Sequence, residues 1–195
     1  MSESRLYSRR SLVTRAGQLT LSAGALALLA GNETLAAKKS AGDSSGDVAV
    51  LNVALGLEHE AIAAYQIGAE SGLLQKPVLD VAVLFQSQHK AHRDALVATV
   101  EKLGGKAVMS MSADDYKKSI KLNVAGIRSQ GDILMLAQRL ELGAVNAYLG
   151  VIPAFGDREL AKIAGRLAAD ETMHYTALTQ ALGLPLPSAA LSYGA

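Results

Sequence analysis

The sequence predicts an all-α protein, a four-helix bundle made of two helix hairpins joined by a long crossover. Three observations carry that prediction. From Val48 onward, apolar residues recur at alternating gaps of three and four in four separate stretches, and none shows a convincing period of two. Ala, Leu and Val dominate a chain that is 50% apolar yet only 4% aromatic and has no Trp, which favours close-packed helices over aromatic-rich strands. About 26 residues separate the second and third stretches, a length suited to crossing a bundle from end to end. At 195 residues the chain can bury a real core.

Residues 1–36 read as an address rather than as part of the fold. Arg5, Arg9, Arg10 and Arg15 make a basic start, and Leu19 to Ala30 form a short Ala/Gly/Leu stretch too weak for a membrane span. Thr34-Leu35-Ala36 supplies small residues for a cut after Ala36. Ser8-Arg9-Arg10-Ser11-Leu12-Val13 resembles the twin-arginine export signal. That resemblance implies dealings with the twin-arginine machinery, a periplasmic or otherwise exported protein, and passage across the membrane already folded. Removing residues 1–36 takes four Arg and two Glu with it, so the net charge of +1 becomes −1. Residues 37–47 read as a polar Gly/Ser-rich linker, 48–183 as the bundle and 184–195 as a tail.

Within the bundle the first seam runs Leu51, Leu55, Glu58, Ile62, Tyr65, Ala69 and stops near Ser71-Gly72. The second runs Val78, Val81, Phe85, His89, His92, Leu96, Thr99, Leu103, with Pro77 at its start and Gly104-Gly105 at its end. In the crossover, Ser112-Ala113-Asp114-Asp115 can cap one short helix. The third seam runs Leu134, Ala137, Glu141, Ala144, Tyr148, Val151, with Asp132 as N-cap and Pro153 as a stop. The fourth runs Leu160, Ala164, Leu167, Glu171, His174, Leu178, capped by Asp157 and closed by Gly183 and Pro185.

Each seam carries polar residues where core belongs: Glu58, then His89 and His92, then Glu141, then Glu171 and His174. An ionised carboxylate in a dry core is costly unless it is paired or bound to metal. Rotating a helix to free its Glu would expose the Leu, Ile and Tyr residues beside it. The six are therefore read as buried metal ligands, whereas His59 and Glu60 lie off the seam and read as surface residues. Residues three apart share one helix face, so Glu171 with His174 can serve one ion, and so can His89 with His92. Imidazole with carboxylate suits iron, manganese or zinc better than calcium or magnesium.

The two halves echo each other. Leu57-Glu58 is followed by Tyr65 and Leu140-Glu141 by Tyr148, each tyrosine seven residues after its Glu; Glu58 to His92 is 34 residues and Glu141 to His174 is 33. Over about residues 48–183 this arrangement resembles the ferritin-like superfamily, rubrerythrin and bacterioferritin included. The resemblance implies one Glu each from the first and third helices, Glu58 and Glu141, and Glu-x-x-His from the second and fourth. Glu171 and His174 match the fourth-helix motif and His92 the second-helix His. Tyr65 and Tyr148 resemble the tyrosines that stand behind the ligands of such sites; as plain core tyrosines they would bond the facing Glu. His89 departs from the pattern, standing where the family has a bridging Glu. A neutral imidazole offers one lone pair to one metal, and three carboxylates leave two divalent ions one positive charge in excess. An added hydroxide would balance it, as would loss of the second metal.

The resemblance thus implies two divalent ions, iron or manganese, with zinc or a single ion as the variant, and oxygen or peroxide as small-molecule partners in ferroxidase- or peroxidase-type chemistry. The chain has no Cys, which excludes a disulfide frame, a thiolate zinc site and a built-in rubredoxin iron. No basic stripe with interleaved aromatics supports nucleic-acid binding. Non-catalytic metal storage and a metal-free structural or stress-protective bundle are the alternatives, and a homo-oligomer is compatible with either.

Overall fold

The computed structural model describes residues 44–194; the expected signal (1–36) and most of the expected linker lie outside the described residues. Four long helices form the bundle: α1 (Ser45–Glu70), α2 (Lys76–Lys102), α4 (Gln130–Val151) and α5 (Arg158–Ala181), with the short α3 (Ala113–Lys118) in the crossover. α1 pairs with α2 and α4 with α5 as antiparallel hairpins, and the hairpins meet chiefly along α1 and α4. This is the all-α bundle of two hairpins and a long crossover that the sequence predicts. α1 begins at Ser45, three residues before the apolar pattern. It is long and apolar enough to cross a membrane by composition alone, and its hydropathy is accounted for by the core positions it fills, Leu51 and Leu55 among them.

The helix ends follow local chemistry. Gly104 ends α2 and Gly183 ends α5, each with a positive φ (76° and 66°) that a residue with a Cβ adopts reluctantly. Asp157 caps α5, its side chain accepting from the Glu159 amide at 2.8 Å. Ser112 caps α3 as expected. The cap of α4 is Ser129 rather than Asp132. Ser129 Oγ accepts from the Asp132 amide, and the Asp132 carboxylate takes hydrogen bonds from Ser129 Oγ and the Arg128 amide, both at 2.9 Å. This is reciprocal capping at a spacing of three, with Asp132 inside the helix.

The crossover lies against α1 and α4. Tyr116 and Leu122 are buried against Ala64 and Leu136. Asn52 clamps the stretch after α2, donating to the Lys106 carbonyl and accepting from the Val108 amide, both at 2.9 Å. His59 Nε2 donates to the Val108 carbonyl at 3.1 Å. His59 is thus a fastening for the crossover, off the central seam.

The core has two main lobes along the bundle axis. One, toward the start of α1, is filled by Leu51, Leu55, Leu96, Val100, Leu160 and Leu167 around Tyr148. The other gathers Tyr65, Phe85, Leu134, Ala137 and Leu178. The seam of α2 differs from the predicted one at its ends. Val78, Ala82 and Phe85 face the core there, leaving Val81 41% exposed, and Val100 replaces Thr99 in the interior. Over seven turns a stripe drawn at gaps of three and four drifts from the true 3.6-residue period.

Candidate metal centre

Between the two lobes sits a polar layer with one or two residues from each long helix: Glu58 on α1, His89 and His92 on α2, Glu141 on α4, and Glu171 and His174 on α5. All six sequence-predicted ligands converge there. Five are at most 1% exposed and His92 is 9% exposed. Two sets of four have donor atoms within 4.8 Å of one another: Glu58, His89, His92 and Glu171, and His89, Glu141, Glu171 and His174. Glu171 and His89 belong to both.

The imidazole of His89 lies at the middle. Its Nδ1 is 2.8 Å from Glu58 Oε2 and its Nε2 is 3.1 Å from Glu141 Oε1. The carboxylate of Glu171 points one oxygen to each side, with Oε1 at 3.2 Å from His92 Nδ1 and Oε2 at 3.1 Å from His174 Nδ1.

The outer supports are crossed between hairpins. Tyr65 on α1 donates to Glu141 on α4 at 2.5 Å, and Tyr148 on α4 donates to Glu58 on α1. His174 on α5 donates through Nε2 to the Gln88 side-chain carbonyl on α2 at 2.7 Å. His92 on α2 donates through Nε2 to Asp170 on α5 at 3.2 Å. Each acceptor stands four residues, one helical turn, before the histidine of its own helix, Gln88 before His92 and Asp170 before His174, yet binds the histidine of the other hairpin. These bonds orient both rings and leave their Nδ1 atoms facing the carboxylates. The sequence reading missed Gln88 and Asp170. The signal was the i−4 position relative to each His, which only a bundle with adjacent α2 and α5 turns into a contact.

Charge in the layer is set by burial against pairing. Burial alone would push the Glu58 carboxyl up, but His89 and His92 overturn that and hold it below the usual carboxylate range. At Glu141, burial is likewise outweighed by His174 and His89, and the shift is downward. At Glu171 burial prevails, with Glu141 beside it, and its carboxyl is pushed up to about 7. Burial would lower all three imidazoles, yet the facing carboxylates raise them, His92 to about 10. Burial, then the carboxylates, pushes both tyrosine hydroxyls well above their ordinary value.

Pairing does not exhaust the donors. His92 Nδ1, Glu141 Oε2 and Glu171 Oε1 are buried without a hydrogen bond, and the 3.2 Å approach of the first and third lacks the alignment for one. Buried polar atoms without a partner are costly, and these three sit among imidazole nitrogens and carboxylate oxygens. That is the donor chemistry first-row divalent ions take, so the residues fit a metal.

A cleft of about 40 Å³ opens beside the layer between α1 and α4, with Glu58, His89, Glu141 and Glu171 on its floor. Lys121 from the crossover pairs with Glu60 at its rim, and Arg139 donates to the Lys121 carbonyl at 2.6 Å. Glu60, expected to be a free surface residue, is held in this pair.

Four antiparallel helices around a buried Glu/His layer define a ferritin-like bundle with metal-binding capacity. A family model described as a ferritin-like domain matches residues 46–184, well over half of the chain, and the protein belongs to that family. The crystal structure of a conserved hypothetical protein, rv2844, from Mycobacterium tuberculosis is similar, with a TM-score of 0.62 and 23% identity over 74% of this chain and 96% of that one. At that identity the likeness is one of fold. No curated protein matches the chain.

Proposed function

We propose that the layer holds two divalent metal ions, iron or manganese, and that the protein handles oxygen or peroxide in the cell envelope after twin-arginine export. The observation that carries this reading is the orphaned donor trio, with at least one member in each four-residue set. Glu58, His92 and Glu171 would hold one ion and Glu141, Glu171 and His174 the other, with the single lone pair of His89 serving one of the two. The two oxygens of Glu171, turned to opposite sides, support a paired site. A bound iron or manganese pair supplies redox equivalents for oxygen or peroxide.

The chain's own part is to hold, orient and shield. Tyr65 and Tyr148 keep their phenolic protons and pin Glu141 and Glu58. Gln88 and Asp170 aim the histidine Nδ1 atoms inward. The core lobes exclude bulk water above and below. The cleft has room for molecules the size of water or peroxide, and the Lys121–Glu60 pair stands across its way in. Lacking Cys, the chain would take its electrons from an external donor.

One observation favours a second reading, a metal-free structural bundle. His89 already uses both ring nitrogens on Glu58 and Glu141, and as an imidazolium it places positive charge between them. Metal content separates the readings. The protein would be purified from its native envelope and bound metal per chain measured by mass spectrometry. About two iron or manganese ions per chain are expected; about one would point to a mononuclear or zinc site. None, with no uptake of iron, manganese or zinc, overturns the metal reading. Turnover of peroxide or Fe²⁺ by the loaded protein then separates an enzyme from a storage module.

A further inference from the structure

The two lobes of the core are not equally filled. The lobe toward the start of α1 is packed with Leu and Val side chains. At the other end, where α1 stops and α2 begins, small residues from all four long helices face one another: Ala64, Gly68, Ala82, Ala137, Ala177 and Ala181. They leave a cavity of about 210 Å³. Leu74 from the α1–α2 turn, Pro77 in the first turn of α2 and Ile127 from the crossover line its outer end, which is partly open.

Every lining residue is apolar except Tyr65, whose hydroxyl is committed to Glu141. Water placed there would find no free partners, and apolar cavities of about 150 Å³ stay dry yet accept benzene-sized guests. The inner wall is made by the rings of Tyr65 and Phe85. Phe85 stacks on His174 with centroids 4.1 Å apart, and the Tyr65 ring lies 5.3 Å from that of His89. A guest would thus lie one aromatic ring away from the polar layer.

We propose that this cavity is a binding site for a small neutral apolar molecule of one or two hydrocarbon rings or an equivalent chain, seated against Tyr65 and Phe85. The site follows from the cavity's shape and lining and does not depend on metal in the layer. Ligand binding and metal binding can therefore fail separately.

The test is a titration of the purified protein with toluene and naphthalene, followed by methyl NMR, once in chelator and once after metal loading. Saturable shifts are expected at Val78, Leu134 and Leu178, with Leu51 and Leu55 at the filled end unmoved. Benzoate, of similar size but charged, should move none of them. Ala137→Leu and Ala177→Leu fill the cavity from different helices, and each should weaken binding about tenfold or more. The proposal is overturned by no saturable shift up to the solubility limit, by equal shifts at both ends, by equal binding of benzoate, or by unchanged binding in folded filling variants. Should either variant fail to fold, the contrast between the two ends in the wild-type protein decides.

Discussion

The hydroxyl of Tyr65 on α1 reaches across the bundle to Glu141 on α4 at 2.5 Å, and not to Glu58, seven residues earlier on its own helix. Tyr148 returns the contact to Glu58. A hydrogen bond to a buried ionised carboxylate contributes about 1.5–3 kcal/mol. Tyr65→Phe and Tyr148→Phe should each lower the stability of the metal-free protein by about that amount, read from urea unfolding in chelator. Wild-type stability in both variants would show that the tyrosines do not hold the carboxylates.

Glu171 belongs to both donor sets, whereas Glu60 pairs with Lys121 at the cleft rim. Glu171→Ala should abolish metal uptake, and Glu60→Ala should leave the number of ions bound unchanged. Equilibrium dialysis with elemental analysis measures both; equal occupancy in the two variants would sink the site assignment.

Metal-free stability should depend on pH with a defined sign. Glu171 has its carboxyl raised to about 7, so its contribution is full below its ordinary value of 4.5 and lost as pH rises through 7. The imidazoles are raised as well, and their contribution is full below 6.5 and lost as pH climbs, for His92 through about 10. Glu58 and Glu141 are depressed, and theirs is lost as pH falls below 4.5. Urea midpoints in chelator should therefore peak in mildly acid solution and decline from pH 6 to pH 10. A flat profile over that range would contradict the charge pattern of the layer.

Metal must displace those same protons. At neutral pH, binding should release protons and tighten as pH rises. Calorimetry in two buffers of different ionisation enthalpy reads the release directly, and a buffer-independent heat would argue that the histidines enter binding already neutral.

Asp170 and Gln88 aim His92 and His174. Removing such a partner commonly costs about 10- to 100-fold in metal affinity. Asp170→Ala should weaken the ion held by His92, and Gln88→Ala the ion held by His174, while helix content stays the same. Chelator competition followed through cobalt(II) absorption would resolve the two; identical affinities in both variants and the wild type would remove these residues from the site.

Much of this was legible in the sequence because the layer violates the rule that seams are apolar. Glu58, Glu141 and Glu171 stand among Leu, Ile, Ala and Tyr neighbours that cannot be turned outward, so burial followed from periodicity alone. The tyrosine repeat was legible as a repeat, but a spacing of seven on one helix says nothing about which carboxylate across the bundle each hydroxyl meets. Gln88 and Asp170 escaped notice for the same reason. The roles of Lys121 and Glu60 were also hidden, because they depend on where the crossover lies, and a loop's path is set by tertiary docking of Tyr116 and Leu122. The cavity left no sequence mark beyond alanines, which helices use everywhere.

The crossed supports bear on how the chain comes together. An isolated α1–α2 hairpin would carry Glu58 without its tyrosine and His92 without Asp170; an isolated α4–α5 hairpin would carry Glu141 and His174 equally unattended. Local hairpin contacts form early and cheaply, and each hairpin pairs its Glu with its own His, but the tyrosine and the outer acceptor that complete the layer come only from the other hairpin. The polar layer therefore penalises every half-assembled state and rewards only docking of the two in register. It ties the two repeats into a single cooperative folding unit, in which a chain cut within the crossover should still assemble as a pair of complementary fragments.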